Sequence, residues 1–208
     1  MLLVVGVLAA DIVPVRLDLQ DYPRMFISND RLDVTFVVGE FAQPDDVIAT
    51  TEVSLSLRNA LELYLEEGTA RHFEVDVRGD TYEELKNLYM DVFTKKTTTA
   101  AQTILDTSLD RESILDKNLI VVGGPCVNWV AAHVENYPEN CAESFLPGRG
   151  YIRLYPNGRG IIMVVAGYSA DDTMNAAQIL ARYDDYQANF VGKSFRVSSA
   201  VINQIRVT

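Results

Sequence analysis

The first candidate for chemistry is Cys126, in the segment NLIVVGGPCVNWVAAHV at residues 118–134. An apolar run ends there in two glycines, a proline and a cysteine, and a predicted helix follows. A nucleophilic cysteine needs a nearby base such as histidine. His133 follows seven residues later, roughly 10 Å away by the rise of a helix, which is too far for direct proton transfer. Nothing in the sequence places the other histidine, His72, beside the thiol. The pattern favours a structural cysteine over a catalytic one.

The same segment lacks the sequence of a phosphate-binding loop. Dinucleotide-binding loops carry G-x-G-x-x-G between a strand and a helix, and P-loops end in G-K-[S/T]. GGPCVN has neither pattern, and Pro125 removes one backbone amide that such a loop would use as a donor. We therefore interpret Gly123 and Gly124 as a tight turn and Pro125 as the start of the following helix.

The two cysteines of the chain, Cys126 and Cys141, lie 15 positions apart. Two thiols and two scattered histidines do not make a four-ligand zinc site. In an oxidising compartment the natural use is a disulfide, which contributes about 3 kcal/mol for a loop of this size. In a reducing compartment both would be small buried apolar groups.

Two pairs of acidic residues are candidates for metal binding or for general acid–base catalysis. Asp45 and Asp46 begin one predicted helix, and Asp171 and Asp172 begin another, in which Asp172 lies three residues after the predicted capping residue Ser169. Carboxylates stabilise the positive end of a helix, so all five residues are predicted to be helix caps. A calcium site would need further oxygen ligands that the sequence does not locate. No cofactor is predicted, and calcium is the one ion that the sequence leaves open without locating a site for it.

These residues belong to three similar units, each an apolar strand, a glycine, a polar loop and an amphipathic helix. The units are Leu32–Leu57, residues 118–134 and Gly160–Tyr183. Their continuous apolar runs are typical of strands buried on both faces, which predicts a largely parallel sheet covered by helices. A glycine allows the sharp exit from each strand. These glycines are Gly39, Gly123 and Gly167.

An antiparallel strand is predicted beside the parallel set. The strands Tyr151–Tyr155 and Ile161–Val165 flank Asn157-Gly158, a pair that favours a tight hairpin turn. The tail after Gly192 alternates enough to supply one or two more strands. The predicted fold is therefore α/β, with a mixed, mainly parallel sheet, flanking helices and a β-hairpin.

The whole chain of 208 residues is predicted to form one domain with an insertion at about residues 58–117. Within the insertion, HFEVDV is a predicted strand and TYEELKNLYMDVF a predicted helix. The first ten residues, MLLVVGVLAA, suit either the remnant of a secretion signal or a first strand.

The formal charge of −11 argues against nucleic acid or an anionic membrane as a partner. The sequence contains no apolar stretch of the roughly 20 residues that cross a bilayer. It also contains no N-x-[S/T] triplet, so we expect no N-linked glycan.

Three segments resemble the archaeal surface-layer (S-layer) proteins of methanogens and their relatives. They are DYPRMFISNDRLDVTFVVGEFAQPDDVIATTEVSLSL (Asp21–Leu57), NLIVVGGPCVNWVAA (Asn118–Ala132) and GRGYIRLYPNGRGIIMVVAGYSADDTMNAAQILARY (Gly148–Tyr183). Their order and spacing are similar to those of that family. The resemblance implies a minimal or single-module relative that is secreted, lies at the cell surface and has no catalytic activity.

The resemblance favours a structural role through self-association or contacts with other surface proteins. At an oxidising cell surface, Cys126 is predicted to pair with Cys141 and to pin the loop that follows. The first alternative is a module that binds a cell-wall polymer or a small ligand at the carboxyl ends of the parallel strands. The second is a thiol- or nucleotide-dependent enzyme centred on Cys126.

Overall fold

A computed structural model describes residues 17–72, with side chains up to residue 65, and residues 101–198. Most of the described chain forms one six-stranded sheet packed against helices, and a two-stranded hairpin lies beside it. The predicted α/β fold is confirmed. The predicted strand HFEVDV, apart from its first residue, and the helix TYEELKNLYMDVF lie outside the described residues, as do the first ten residues of the chain.

The sheet is mixed and mainly parallel. The small hairpin is β1 (Ile27–Ser28) and β2 (Arg31–Leu32), and the sheet strands in chain order are β3 (Thr35–Val38), β4 (Gln102–Leu105), β5 (Leu119–Val122), β6 (Arg149–Asn157), β7 (Gly160–Gly167) and β8 (Ser194–Ser198). Their spatial order is β4-β3-β5-β7-β6-β8. The pairs β4–β3, β3–β5 and β5–β7 are parallel, and only β6 runs against its two neighbours.

Helices cover both faces of the sheet. They are α1 (Pro44–His72), α2 (Trp129–Val134), α3 (Ala170–Ala181) and the single turn α4 (Tyr183–Tyr186). Residues from α1 and α3 pack with alternate residues of the strands, such as Ile120 and Met163, in one core. Residues from α2 pack with the intervening residues, such as Val121 and Val164, in a second core. Because successive side chains of a strand point to opposite faces, a strand between two layers must be apolar throughout.

The central strands have this composition. All four residues of β5 are buried, and so are seven of the eight residues of β7. The sequence run LIVV and the run GIIMVVA thus reflect burial on two faces, as predicted.

The hairpin between β6 and β7 differs from the prediction in its turn. Asn157 pairs with Gly160 as the last rung of the ladder, so the two turn residues are Gly158 and Arg159, not Asn157 and Gly158. The φ of Gly158 is 61°, which suits a residue without a side chain. Asn157 is buried, and its amide donates to the carbonyls of Ile114 and Lys117. A tertiary contact therefore determines the position of this asparagine.

The ends of the predicted insertion are parts of the main architecture. Helix α1 continues through Arg58 to His72, and the last part of the insertion contains β4, which pairs with β3 in the sheet. The tail supplies β8, at the edge beside β6.

Candidate functional site

The three strand–helix units meet at one edge of the sheet, where the parallel strands end. Val38 is paired with Val122, and Val122 with Val165, so Gly39 and Gly123, which directly follow β3 and β5, lie at the same edge. Gly167 is instead the last residue of β7, where it pairs with Gly150. The Gly123 amide donates to the Val165 carbonyl across this edge, at 3.0 Å. The carboxyl ends of parallel strands are the usual place for ligands in open α/β sheets, and this edge is the candidate site.

Glycine is required at positions 39 and 123 for two different physical reasons. Gly123 has a φ of 99°, which side chains rarely tolerate. Gly39 does not have a positive φ, but a β-carbon there would collide with the carbonyl oxygen of Val127. The strand exits are thus places where the chain turns sharply or where two backbone segments nearly touch.

The loop after β5 forms a turn rather than the start of a helix. The amides of Val127 and Asn128 both donate to the Gly124 carbonyl, at 3.1 Å, and α2 begins only at Trp129. The interpretation of Pro125 as the first residue of the helix is therefore wrong. Proline fits because its fixed φ also suits the second position of a tight turn. Cys126 likewise lies in the turn, not on the helix.

Cys126 and Cys141 form a disulfide. The Cys126 sulfur is therefore bonded and is not available as a thiolate nucleophile. His133 packs between two aromatic rings, with ring centroids 6.3 Å from Trp129 and 5.7 Å from Tyr137. The described geometry gives no support to a cysteine–histidine pair.

Asn128 caps α2 and joins two strands, a role that the sequence interpretation missed. Its side-chain oxygen accepts from the amides of Val130 and Ala131, and its side-chain amide donates to the carbonyls of Val37 and Val122. The residue is 1% exposed. An asparagine before a helix is a cap signal, but its contact with the ends of β3 and β5 depends on the tertiary fold.

Asp106 is a second residue that the sequence interpretation missed. Its two carboxylate oxygens accept from the amides of Glu40 and Trp129, at 2.9 and 3.0 Å, and its carbonyl accepts from the Trp129 indole. The residue is 4% exposed. It follows β4 and connects three loops of the carboxyl edge, so its charge is satisfied internally.

The predicted cap residues of α3 occupy the positions that a capping box requires. The Ser169 hydroxyl accepts from the Asp172 amide, and the Asp172 carboxylate accepts from the Ser169 amide. Asp172 also accepts from the Gly148 amide, at 3.2 Å. Asp171 lies in the same first turn and is exposed.

At the start of α1, Asp46 is the third helical residue, as Asp172 is in α3. Its Oδ2 accepts from the Gln43 amide at 3.0 Å, and the residue is 3% exposed. Within the described residues its Oδ1 makes no hydrogen bond shorter than 3.5 Å, although the Thr173 hydroxyl lies nearby. Burial raises the pKa of Asp46 above its ordinary value. Asp45 lies in the same first turn and is half-buried.

The loop that carries Cys141 is also held by an ion pair. Arg153 of β6 donates to the Glu135 carboxylate at 2.7 Å and to the Ser144 carbonyl at 2.8 Å. The Tyr155 hydroxyl donates to the same Glu135 carboxylate. Burial, together with this carboxylate, raises the pKa of Tyr155 well above its ordinary value. The cluster connects the segment between α2 and β6 at two positions to strand β6.

A cleft of about 80 Å³ remains at the edge. It is lined by many of the predicted residues, including Asp46, Gly124, Pro125, Gly167 and Ser169, together with both cysteines. Clefts that enclose organic ligands typically measure about 300–1,000 Å³, so this one is too small for such a molecule. Across the residues that the structure describes, no three histidine, cysteine or acidic side chains are grouped as metal ligands.

The carboxyl edge is thus bound together by caps, backbone contacts and a disulfide. The chain belongs to the S-layer like family, outer domain, because the sequence model of that family matches residues 18–183, most of the chain. Members of this family are typically structural and non-catalytic.

A search of curated proteins returned no match. None of the helices within the described ranges combines the length and the apolar composition needed to span a bilayer.

Proposed function

We propose that this chain is a structural domain of a cell-surface layer that acts through protein–protein contacts and has no catalytic activity. The observation that carries this proposal is the family match over residues 18–183. Family membership and the disulfide together suggest a cell-surface location, because disulfides persist in oxidising environments outside the cytosol.

The organisation of the carboxyl edge supports the same proposal. Catalytic sites need polar groups that reach a substrate. The side chains of Asn128, Asp106 and Asp172 instead form hydrogen bonds with backbone amides and carbonyls. Asp46 lines a cleft too small for an organic substrate. The proposed role needs no cofactor.

Assembly of the purified protein tests this proposal. Static light scattering and negative-stain electron microscopy would follow the protein as its concentration rises, in parallel samples with calcium and with a chelator. We expect ordered oligomers or sheets that form in both samples. Assembly only with calcium would support self-association and would contradict the absence of a cofactor. Monomers at every concentration would contradict self-association by this chain.

The alternative role, binding of a cell-wall polymer, is tested by co-sedimentation with purified cell walls. The Gly124→Gln variant would fill the cleft at the carboxyl edge, because the Gly124 position borders it. Sedimentation that the variant abolishes would favour the polymer-binding alternative. Absence of sedimentation would favour the structural role.

A further inference from the structure

A groove of about 520 Å³ lies away from the carboxyl edge, and no sequence-predicted site residue lines it. Its walls are the turns at residues 20–27, the middle of α1 and the segment that begins at Tyr183. Both α1 and α3 start at the carboxyl edge and run back along the sheet. Ala60 is 16 residues beyond Pro44, or about 24 Å along the helix. The groove is therefore at the opposite end of the domain from the disulfide.

The side chains that line the groove suit a ligand rich in hydroxyl groups. Gln20, Arg24, Asp184 and Gln187 line it and are exposed. A side-chain amide offers an acceptor beside a donor, a carboxylate offers two acceptors, and a guanidinium donates in a fork. Such planar groups match two hydroxyls on neighbouring carbons of a sugar ring, which present a donor and an acceptor at similar spacing.

An aromatic side chain adds the apolar contact that a sugar ring needs. Tyr64 of α1 is 41% exposed and lines the groove. The Arg24 guanidinium lies 5.9 Å from the centroid of its ring, within reach of a cation–π contact. The C–H groups of a sugar ring carry a small positive charge and pack on the negative face of an aromatic ring.

The inner wall of the groove is buried and closely packed. Tyr22 is 2% exposed, and its ring packs edge-to-face on Phe26, with centroids 6.2 Å apart, and on Tyr183, at 5.2 Å. Burial raises the pKa of Tyr22, partly offset by the Ser56 hydroxyl, so this phenol stays neutral. A wall fixed in advance reduces the entropy lost when a ligand binds.

The composition of the groove disfavours other ligand classes. Among its described lining residues, Arg24 is the single cation, and Asp21 and Asp184 are acidic, so phosphates and other anions would be repelled. The polar lining gives a lipid or an apolar helix little surface to bury. The volume falls within the range of about 300–1,000 Å³ that is typical of sites for small organic ligands.

We propose that this groove binds a neutral oligosaccharide, through stacking on Tyr64 and hydrogen bonds to the side chains of Gln20 and Gln187. The proposal goes beyond the structural role and does not depend on it. A surface domain with this groove would hold a glycan at the end of the sheet opposite its disulfide.

Ligand-observed saturation-transfer NMR and calorimetric titration test the proposal on the full chain. The probes are three neutral disaccharides, N,N′-diacetylchitobiose, cellobiose and lactose, with inorganic phosphate and spermidine as charged comparisons. We expect at least one disaccharide to bind and neither charged probe to bind. Tyr64→Ala and Gln187→Ala should each weaken the sugar complex about tenfold, the loss of one good contact.

The matched control is Tyr168→Ala, which removes another tyrosine, 51% exposed, that lines the cleft at the carboxyl edge. It should bind the sugar as the unmodified protein does. The proposal is overturned if none of the three disaccharides binds at millimolar concentration, if both groove variants bind unchanged, or if spermidine or phosphate binds instead. Gln187 is exposed, so that variant should fold even if Tyr64→Ala does not.

Discussion

At the scale of single residues, the buried polar side chains explain why the carboxyl edge holds together. Asn128, Asp106 and Asp172 each satisfy more than one backbone group that would otherwise be unpaired at a loop or a helix end. A buried polar group without a partner costs about 1–3 kcal/mol. Replacing any of these side chains should therefore lower stability, because backbone groups would be left without a hydrogen-bond partner.

Asn128→Ala should lower the free energy of unfolding by about 2–4 kcal/mol, since it removes a helix cap and leaves two strand carbonyls without their donor. Urea unfolding followed by circular dichroism measures the change. Asn140→Ala is the matched control, because Asn140 is exposed and its side chain accepts a local hydrogen bond from the Ala142 amide. It should change stability by less than about 0.5 kcal/mol. Equal losses in the two variants would contradict the role given to Asn128.

Asp46→Asn tests the buried carboxyl at the start of α1. Burial raises the pKa of Asp46 in the folded protein above its ordinary value of 3.8. The folded state then holds this proton more tightly than the unfolded state, so the Asp46 contribution to stability falls as pH rises above 3.8. The neutral asparagine loses no stability in this way.

We therefore expect the stability of Asp46→Asn relative to the unmodified protein to increase between acidic and neutral pH. Urea unfolding at several pH values in that window measures the difference. Asp45→Asn, in the same first turn but half-buried, is the control for the loss of a helix-terminal charge. A relative stability of Asp46→Asn that stays constant or falls with pH would show that burial does not destabilise the charged form.

Local sequence signals identified part of this site. The Ser169–Asp172 box is predictable because its residues interact within a single helical turn. The contacts of Asp106 with Glu40 and of Asn128 with Val37 were not predictable, because these partners lie 66 and 91 residues apart in the sequence. Only the order of strands in the sheet brings these partners together.

At the scale of secondary-structure elements, the domain depends on close contact between the ends of strands and the loops beside them. Gly39, at the end of β3, lies against the turn after β5, and Gly123 turns the chain at the end of β5. The register of β3 and β5 is thereby fixed at their carboxyl ends.

Gly39→Ala should be strongly destabilising, by more than about 2 kcal/mol, because its new β-carbon would overlap the Val127 carbonyl oxygen and force the backbone apart. Gly124→Ala is the matched control. A β-carbon at Gly124 would meet its nearest neighbours at 3.7–3.9 Å, an ordinary contact. Thermal unfolding compares the two variants. Similar melting temperatures for both would show that the contact between Gly39 and the turn does not constrain the fold.

The central strands could be predicted from the sequence, but their spatial order and the boundaries of several elements could not. Apolar runs predicted β3, β5 and β7 because burial on two faces leaves few other choices of residue. Helix α1 extends beyond its predicted end because ALELYLEE contains no residue that stops a helix. Pro125 was misplaced because a proline suits a tight turn and a first helical turn equally well.

At the scale of the whole molecule, the disulfide connects the carboxyl edge to the loop before β6. Reduction should lower the free energy of unfolding by about 3 kcal/mol, given the sequence separation of 15 residues. Chemical unfolding with and without reductant measures this change, and the Cys126→Ser/Cys141→Ser double variant should match the reduced protein. Unchanged stability, or an intact mass that reductant does not raise by two hydrogens, would contradict the linkage.

The organisation as one domain with an insertion at about residues 58–117 stays a prediction. The described parts of that segment include the second half of α1 and strand β4 of the sheet. A single cooperative transition in differential scanning calorimetry is the outcome expected if the insertion unfolds with the rest. Two separate transitions would indicate an independent unit.

The central claim is that this chain is a structural component of a cell surface. Immunogold electron microscopy of intact and sectioned cells that produce the protein is the most direct measurement. The account predicts gold particles along the outer surface of the cell. Gold confined to the cell interior would contradict it.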